Sequence, residues 1–196
     1  MTTAKRLPVF QKFIQDLRAA WAEIPELESR MKKTAQLLEE LVKDPTLRDH
    51  SRSWPSTDGH KNLLFYEDPD YGFAINGVVR VAGQPGRAHD HAHAWTAYAV
   101  LDGVEKLERY RRLDNGEREG FADIELESVT EGKAGKVDLV PPFDVHAERG
   151  AIGGRSVAVI VRSERLVGKT LQGRYDVHTK KYFQGEGPTQ VPFEIA

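Results

Sequence analysis

The stretch Arg87-Ala88-His89-Asp90-His91-Ala92-His93 holds three of the chain's seven histidines within five residues. Alternate residues of a strand point to the same face. In an extended chain His89 and His91 therefore present two imidazoles side by side, as one metal ion needs. Asp90 then faces the other way and reads as a turn or salt-bridge residue. A His-x-His pair also occurs on ordinary surface strands, so its surroundings decide its meaning. Gly83 precedes His89 with five residues between, and Gly103 follows His91 with eleven between. Farther on, Gly135, Pro141 and His146 fall within one short segment.

Outward from this stretch the chain is rich in short β-type runs, at 62–66, 72–81, 94–101, 105–113, 124–129, 136–140, 146–149, 155–161 and 182–183. Turn formers separate them: Asp68-Pro69-Asp70, Gly83 to Gly86, Asp102-Gly103, Asp114-Asn115-Gly116, Glu131-Gly132 and Gly153-Gly154. Many short strands at close spacing predict an antiparallel sandwich or barrel. The first quarter is different. Phe10, Phe13, Ile14, Leu17 and Trp21 recur at three- and four-residue steps, which predicts one helix face. Pro25 starts a second helix, with Leu27, Met31, Leu38, Leu41 and Val42 on its buried side, and Asp44-Pro45 stops it. Residues 46–60 read as a polar loop. From Leu166 the chain is rich in Gly, Lys and Gln and is expected to wrap the outside.

A length of 196 residues suits one structural domain. Its expected parts are a helical segment over 1–50 packed on the barrel, the barrel over 60–185, and a tail over 186–196. There is no cysteine, which excludes disulfides, Cys-ligated zinc, iron–sulfur clusters and a Cys nucleophile. The formal charge is −2, so no sequence-wide basic excess points to nucleic acid. No apolar run approaches the ~18 residues that span a bilayer. Met1-Thr2-Thr3-Ala4-Lys5-Arg6 lacks an apolar signal core, and a cytoplasmic location is the expectation.

The glycine, proline and histidine spacings resemble the two motifs of the cupin superfamily, a double-stranded β-helix (jelly-roll) barrel holding one metal. Gly83, His89, His91 and Gly103 match G-x5-H-x-H-x3,4-E-x6-G, and Gly135, Pro141 and His146 match G-x5-P-x-G-x2-H-x3-N. The chain departs in three places. Thr96 stands at the glutamate, Phe143 at the second motif's inner glycine and Gly150 at its asparagine. The stretch 63–69, with Pro85-Gly86, Trp95, Val100-Leu101-Asp102-Gly103, Glu105 and Arg109-Tyr110, looks like bacterial thiol dioxygenases of the cysteine dioxygenase type. Those are cupins with three histidines, no glutamate and a helical N-terminal segment. They oxidise cysteine or 3-mercaptopropionate to a sulfinate with O₂ and ferrous iron. The resemblance implies a mainly β cupin fold with His89, His91 and His146 as iron ligands. It places His93 behind the ligands or on the pocket rim.

That family usually carries Ser-x-His-x-Tyr on the strand after the third ligand. The corresponding run here is Ser156-Val157-Ala158-Val159-Ile160, which keeps only the serine. Tyr98 shares parity with Thr96 and is the candidate to supply a hydroxyl instead. Lys61 is the nearest cation to the family's carboxylate-binding strand, with Arg80 and Arg109 as others. Trp95, Thr96, Phe143 and Ser156 complete the candidate substrate contacts.

Three neutral imidazoles leave a divalent ion's charge uncompensated, whereas two histidines and a carboxylate are the more familiar iron set. Such a site favours a substrate that brings its own negative charge, a thiolate or an enolate. The same ligands suit zinc, nickel or copper. Three readings remain open on these residues. The first is a thiol dioxygenase. The second is a carbon–carbon cleaving dioxygenase of a diketone, with an apolar pocket of Trp95, Phe143 and Val159. The third is a cupin that binds metal or ligand without catalysis. The expected partners are a small molecule and O₂, with a homodimer formed through sheet edges.

Overall fold

The computed structural model describes residues 6–57, 61–81, 86–150, 154–168 and 171–196. Gly83 of the first motif, together with Pro85 and Gly153, lies outside the described residues. Three helices come first: α1 (Pro8–Glu23), α2 (Leu27–Val42) and α3 (Pro45–Ser51). The apolar stripe of α1 is buried as its periodicity predicts. On α2, Met31, Leu38, Leu41 and Val42 are buried, but Leu27 opens the first turn and is 49% exposed.

The expected loop over 46–60 is corrected, since its first residues form α3. Asp44 ends α2 and caps α3, its carboxylate accepting from Thr46 N at 2.8 Å and Leu47 N at 3.0 Å. Pro45 then occupies the first turn, where a missing N–H costs nothing.

Twelve strands follow: β1 (Lys61–Glu67), β2 (Ala74–Arg80), β3 (Ala88–His89), β4 (Thr96–Asp102), β5 (Val104–Arg112), β6 (Ile124–Lys133), β7 (Val137–Val140), β8 (Val145–Arg149), β9 (Ser156–Arg162), β10 (Leu171–Tyr175), β11 (Tyr182–Glu186) and β12 (Thr189–Pro192). They make two six-stranded sheets, ordered β12-β1-β2-β9-β4-β7 and β11-β10-β3-β8-β5-β6. The fold is mainly β, a double-stranded β-helix of the cupin type with an N-terminal helical segment.

The central strands of the first sheet, β2, β9 and β4, are buried on both faces. Ile75, Val79, Ala97, Ala99, Leu101, Val157, Val159 and Val161 face the helices and join α1 and α2 in the largest core cluster. The alternate residues Val78, Tyr98, Val100, Ala158 and Ile160 meet Leu107 of the second sheet inside the barrel. The segment beyond Leu166 adds three strands where the sequence suggests a wrapping tail with one short strand at 182–183. Its β10 pairs with β3, and β12 pairs in parallel with β1. No helix among the described residues is long and apolar enough to cross a membrane.

Candidate metal centre

The short strand β3 lies between β10 and β8, and its register puts His89 directly opposite His146. His146 in turn lies opposite Arg109 of β5. His91 arrives differently from the alternation expected of one strand, because β3 ends at His89. The chain turns there. Asp90 is buried and its Oδ1 accepts from Ala92 N at 2.8 Å and Gly173 N at 3.1 Å. Its Oδ2 accepts from the Tyr175 hydroxyl at 2.5 Å. A Cβ on Gly173 would sit 2.2 Å from Asp90 Oδ2, so only glycine lets β10 approach this closely.

The result is a cluster in which one ligand atom from each of His89, His91 and His146 lies within 4.8 Å of the others. Their ring centroids are 4.3 to 5.1 Å apart. Nδ1 of His89 donates to the Arg87 carbonyl at 2.9 Å, and Nδ1 of His146 to the Asp144 carbonyl at 3.3 Å. A carbonyl can only accept, so both imidazoles keep a lone pair on Nε2. Thr96 Oγ1 shares a 2.9 Å hydrogen bond with Nδ1 of His91. Thus the residue at the motif's glutamate position orients the His91 ring. Burial and the neighbouring His146 push His89 down to about 4. The same causes, with His89 added, hold His91 well below the usual histidine range. The Nε2 atoms of His91 and His146 are buried without a hydrogen-bond partner. Buried lone pairs converging in this way suit a cation, and a nitrogen-only set suits a transition metal.

Beside the cluster stands Glu148, two residues after His146 on the same face of β8. Its Oε1 is 3.4 Å from His146 Nε2, and its Oε2 is 3.6 Å from Arg80 Nη2. Burial alone would raise this carboxyl. The histidines and Arg80 outweigh it and hold the group well below the usual carboxylate range. Arg80 continues to the barrel floor, where it donates to the Tyr98 hydroxyl and to Glu105. Tyr98 donates to Glu105 Oε2 at 2.6 Å, and Ser156 Oγ to Glu105 Oε1 at 2.5 Å.

The other expected site residues scatter. Tyr98 and Ser156 face the barrel interior, but both donate to Glu105 below the cluster. Trp95 is corrected as a pocket residue, for it stacks on Trp21 of α1 at 5.5 Å in the helix-side core. Val159 faces the same way. Lys61 is exposed at the first residue of β1. His93 is likewise on the surface, its Nε2 2.5 Å from Glu164. Arg109 pairs with Asp138 at 2.7 Å. Phe143 is 68% exposed and has φ +65°, the left-handed backbone its motif position reserves for glycine. Its N–H donates to the Ala92 carbonyl at 2.7 Å and ties the two ligand-bearing loops together.

One interior residue escapes the sequence reading. Arg162 lies one residue beyond the run expected at 155–161. The signal was parity, since Ser156, Ala158, Ile160 and Arg162 share one face of β9.

No protein-family model matches the chain, and no curated protein matches it. Among solved structures it is similar to a Klebsiella pneumoniae protein with a double-stranded β-helix domain, at 18% identity, covering 63% of this chain and 85% of that one, TM-score 0.44. A cupin protein from Bacteroides fragilis aligns at 17% identity over 46% of this chain and 64% of that one, TM-score 0.34. An oxalate oxidase bound to glycolate aligns at 18% over 60% and 61%, TM-score 0.39.

Proposed function

We propose that this chain is a metal-dependent dioxygenase that oxidises a small thiol carboxylate to a sulfinate, with ferrous iron held by His89, His91 and His146. The observation that carries the reading is the histidine cluster itself. The Nε2 atoms of His91 and His146 are buried without a hydrogen-bond partner, and Thr96 stands where an anionic ligand is expected. Bound iron would supply adjacent positions for thiolate and O₂ within one coordination sphere.

The protein's own contribution is orientation and charge. The carbonyls of Arg87 and Asp144 and the hydroxyl of Thr96 hold the rings and their tautomers. The polar groups beside the cluster favour a small charged substrate. Thr96 bonds His91 and Glu148 lies beside His146, with Arg80 behind Glu148 and Arg162 opposite Thr96, while Trp95 and Val159, two of the three apolar residues expected to line a diketone pocket, face the helices.

Oxygen uptake by protein loaded anaerobically with ferrous iron tests the proposal. The panel is 3-mercaptopropionate, cysteine, cysteamine and acetylacetone, with His146→Ala as control. Uptake with a thiol carboxylate, lost in the control, is the expected result. Uptake with acetylacetone alone would move the activity to carbon–carbon cleavage. No uptake, with one metal bound per chain, would refute the reading.

A further inference from the structure

Four carboxylates are buried among the described residues: Asp68, Asp90, Glu105 and Glu148. Three of them are well supplied with donors. Asp68 accepts from Asp70 N, Tyr71 N, the Tyr66 hydroxyl and Arg18. Asp90 accepts from Ala92 N, Gly173 N and the Tyr175 hydroxyl. Glu105 accepts from Tyr98, Ser156 and Arg80. Glu148 is the exception. It is 7% exposed, and Arg80 Nη2 stands 3.6 Å away, beyond hydrogen-bond length. That guanidinium is shared with Glu105.

A buried carboxylate without donors is destabilising unless a cation meets it. Glu148 is aimed at atoms with the same need. Its Oε1 lies 3.4 Å from His146 Nε2. That nitrogen carries a lone pair, because Nδ1 of the ring donates to the Asp144 carbonyl. Two lone pairs facing each other at this distance repel until a cation sits between them. Metal–ligand bonds of roughly 2.0–2.2 Å put two donor atoms of one ion about 3–3.5 Å apart. The chain spacing agrees. His146 and Glu148 share the inner face of β8, while Val145 and Ala147 turn outward into a separate cluster. His146-x-Glu148 thus repeats the two-residue step of His89-x-His91.

We infer that Glu148 is a fourth ligand of the metal held by His89, His91 and His146, with Oε1 on the ion and Oε2 steadied by Arg80. The anionic ligand that the first motif would carry on β4, where Thr96 stands, then comes from β8, two residues after the third histidine. It offsets one of the two charges of a divalent ion. The inference rests on the proposed metal site but on none of its substrate or oxygen chemistry.

The test uses the full chain and cobalt(II), whose visible bands report the ligands around it. Cobalt is titrated against a competing chelator into wild type, Glu148→Gln and Glu148→Ala. Affinity should fall at least 10-fold in both variants. A carboxylate that only positioned His146 would also lower affinity, so the bands decide. They should shift in both variants, and acetate should return the Glu148→Ala bands to those of wild type without moving wild type itself. Bands unmoved by the substitution in a folded variant would overturn the inference. Should neither variant fold, a crystal structure of wild type loaded with zinc decides it: Oε1 at about 2.0–2.2 Å from the ion supports the assignment, and Oε1 beyond about 3 Å overturns it. Metal bound by the three histidines alone overturns the assignment and leaves the metal site standing. Wild type that binds no metal removes both.

Discussion

Removing one hydroxyl, in Tyr175→Phe, should loosen the metal centre from behind. Tyr175 donates to Asp90 Oδ2 at 2.5 Å, with 8% and 5% of the two residues exposed. A buried hydrogen bond to a charged acceptor is worth about 1.5–3 kcal/mol. In a chain of this size ~1 kcal/mol moves Tm by about 2–4 °C, so a fall of roughly 3–12 °C is expected. The carboxylate that loses its partner also holds Ala92 N and Gly173 N, which set the turn between His89 and His91. Outer-shell losses cost metal sites about 10- to 100-fold in affinity. Tyr175 acts through the backbone rather than on an imidazole, so the lower end, about 10-fold, is expected. Thermal melts and a cobalt(II) titration against a competing chelator measure both quantities. A lowered Tm with unchanged cobalt affinity would refute the clamp as a support for the ligands. An unchanged Tm would refute the energetic argument itself.

His146→Ala should lower metal affinity most, because His146 faces both other ligands, and oxygen uptake should vanish with it. Gly77→Ala should destabilise the fold by about 1–3 kcal/mol. The new Cβ would lie 2.1 Å from Phe65 Cζ, whose ring is wedged between Phe10, Trp54 and Phe193; denaturant melts read the loss. Phe143→Gly should stabilise by about 0.5–1 kcal/mol, since it relieves a left-handed backbone at a side chain that buries little; a fall in stability would contradict this. The metal-free protein should lose stability as pH falls from about 6.5 to about 4. His89 is pushed down to about 4 in the fold, so over that window the unfolded chain binds more protons. Glu148, held low by its neighbours, acts in the same direction in stronger acid. Urea unfolding at pH 7 and pH 4.5 decides it, and equal midpoints would contradict the shift.

Part of the candidate site was legible in the sequence. His89, His91 and His146 come from motif spacing, and the structure brings their rings together. Gly103 and Gly135 adopt φ +79° and +84°, backbone that their motif positions call for. Even Phe143 keeps the left-handed turn of the glycine it replaces. The strands β10 and β12 were not legible. β12 is an edge strand with three of its four residues exposed, so little alternation marks it, and β10 carries Gln172, Gly173 and Arg174 at its centre, which do not read as a strand. The parallel pairing of β12 with β1 joins segments far apart in the chain.

By itself the sequence determined which residues alternate together, where the chain turns, and that three histidines could meet without an acidic partner from the first motif. Only the tertiary structure decided which face of each strand is the inside. β2, β4 and β9 are buried almost throughout, because one side lines the barrel and the other lies under α1 and α2. When both faces leave water, the usual contrast of apolar against polar no longer marks the inner one. Hence Trp95 and Val159 belong to the helix-side core, while Glu148 and Arg162 belong beside the histidines. Their charges act there because long-range strand pairing places them together in a desolvated interior.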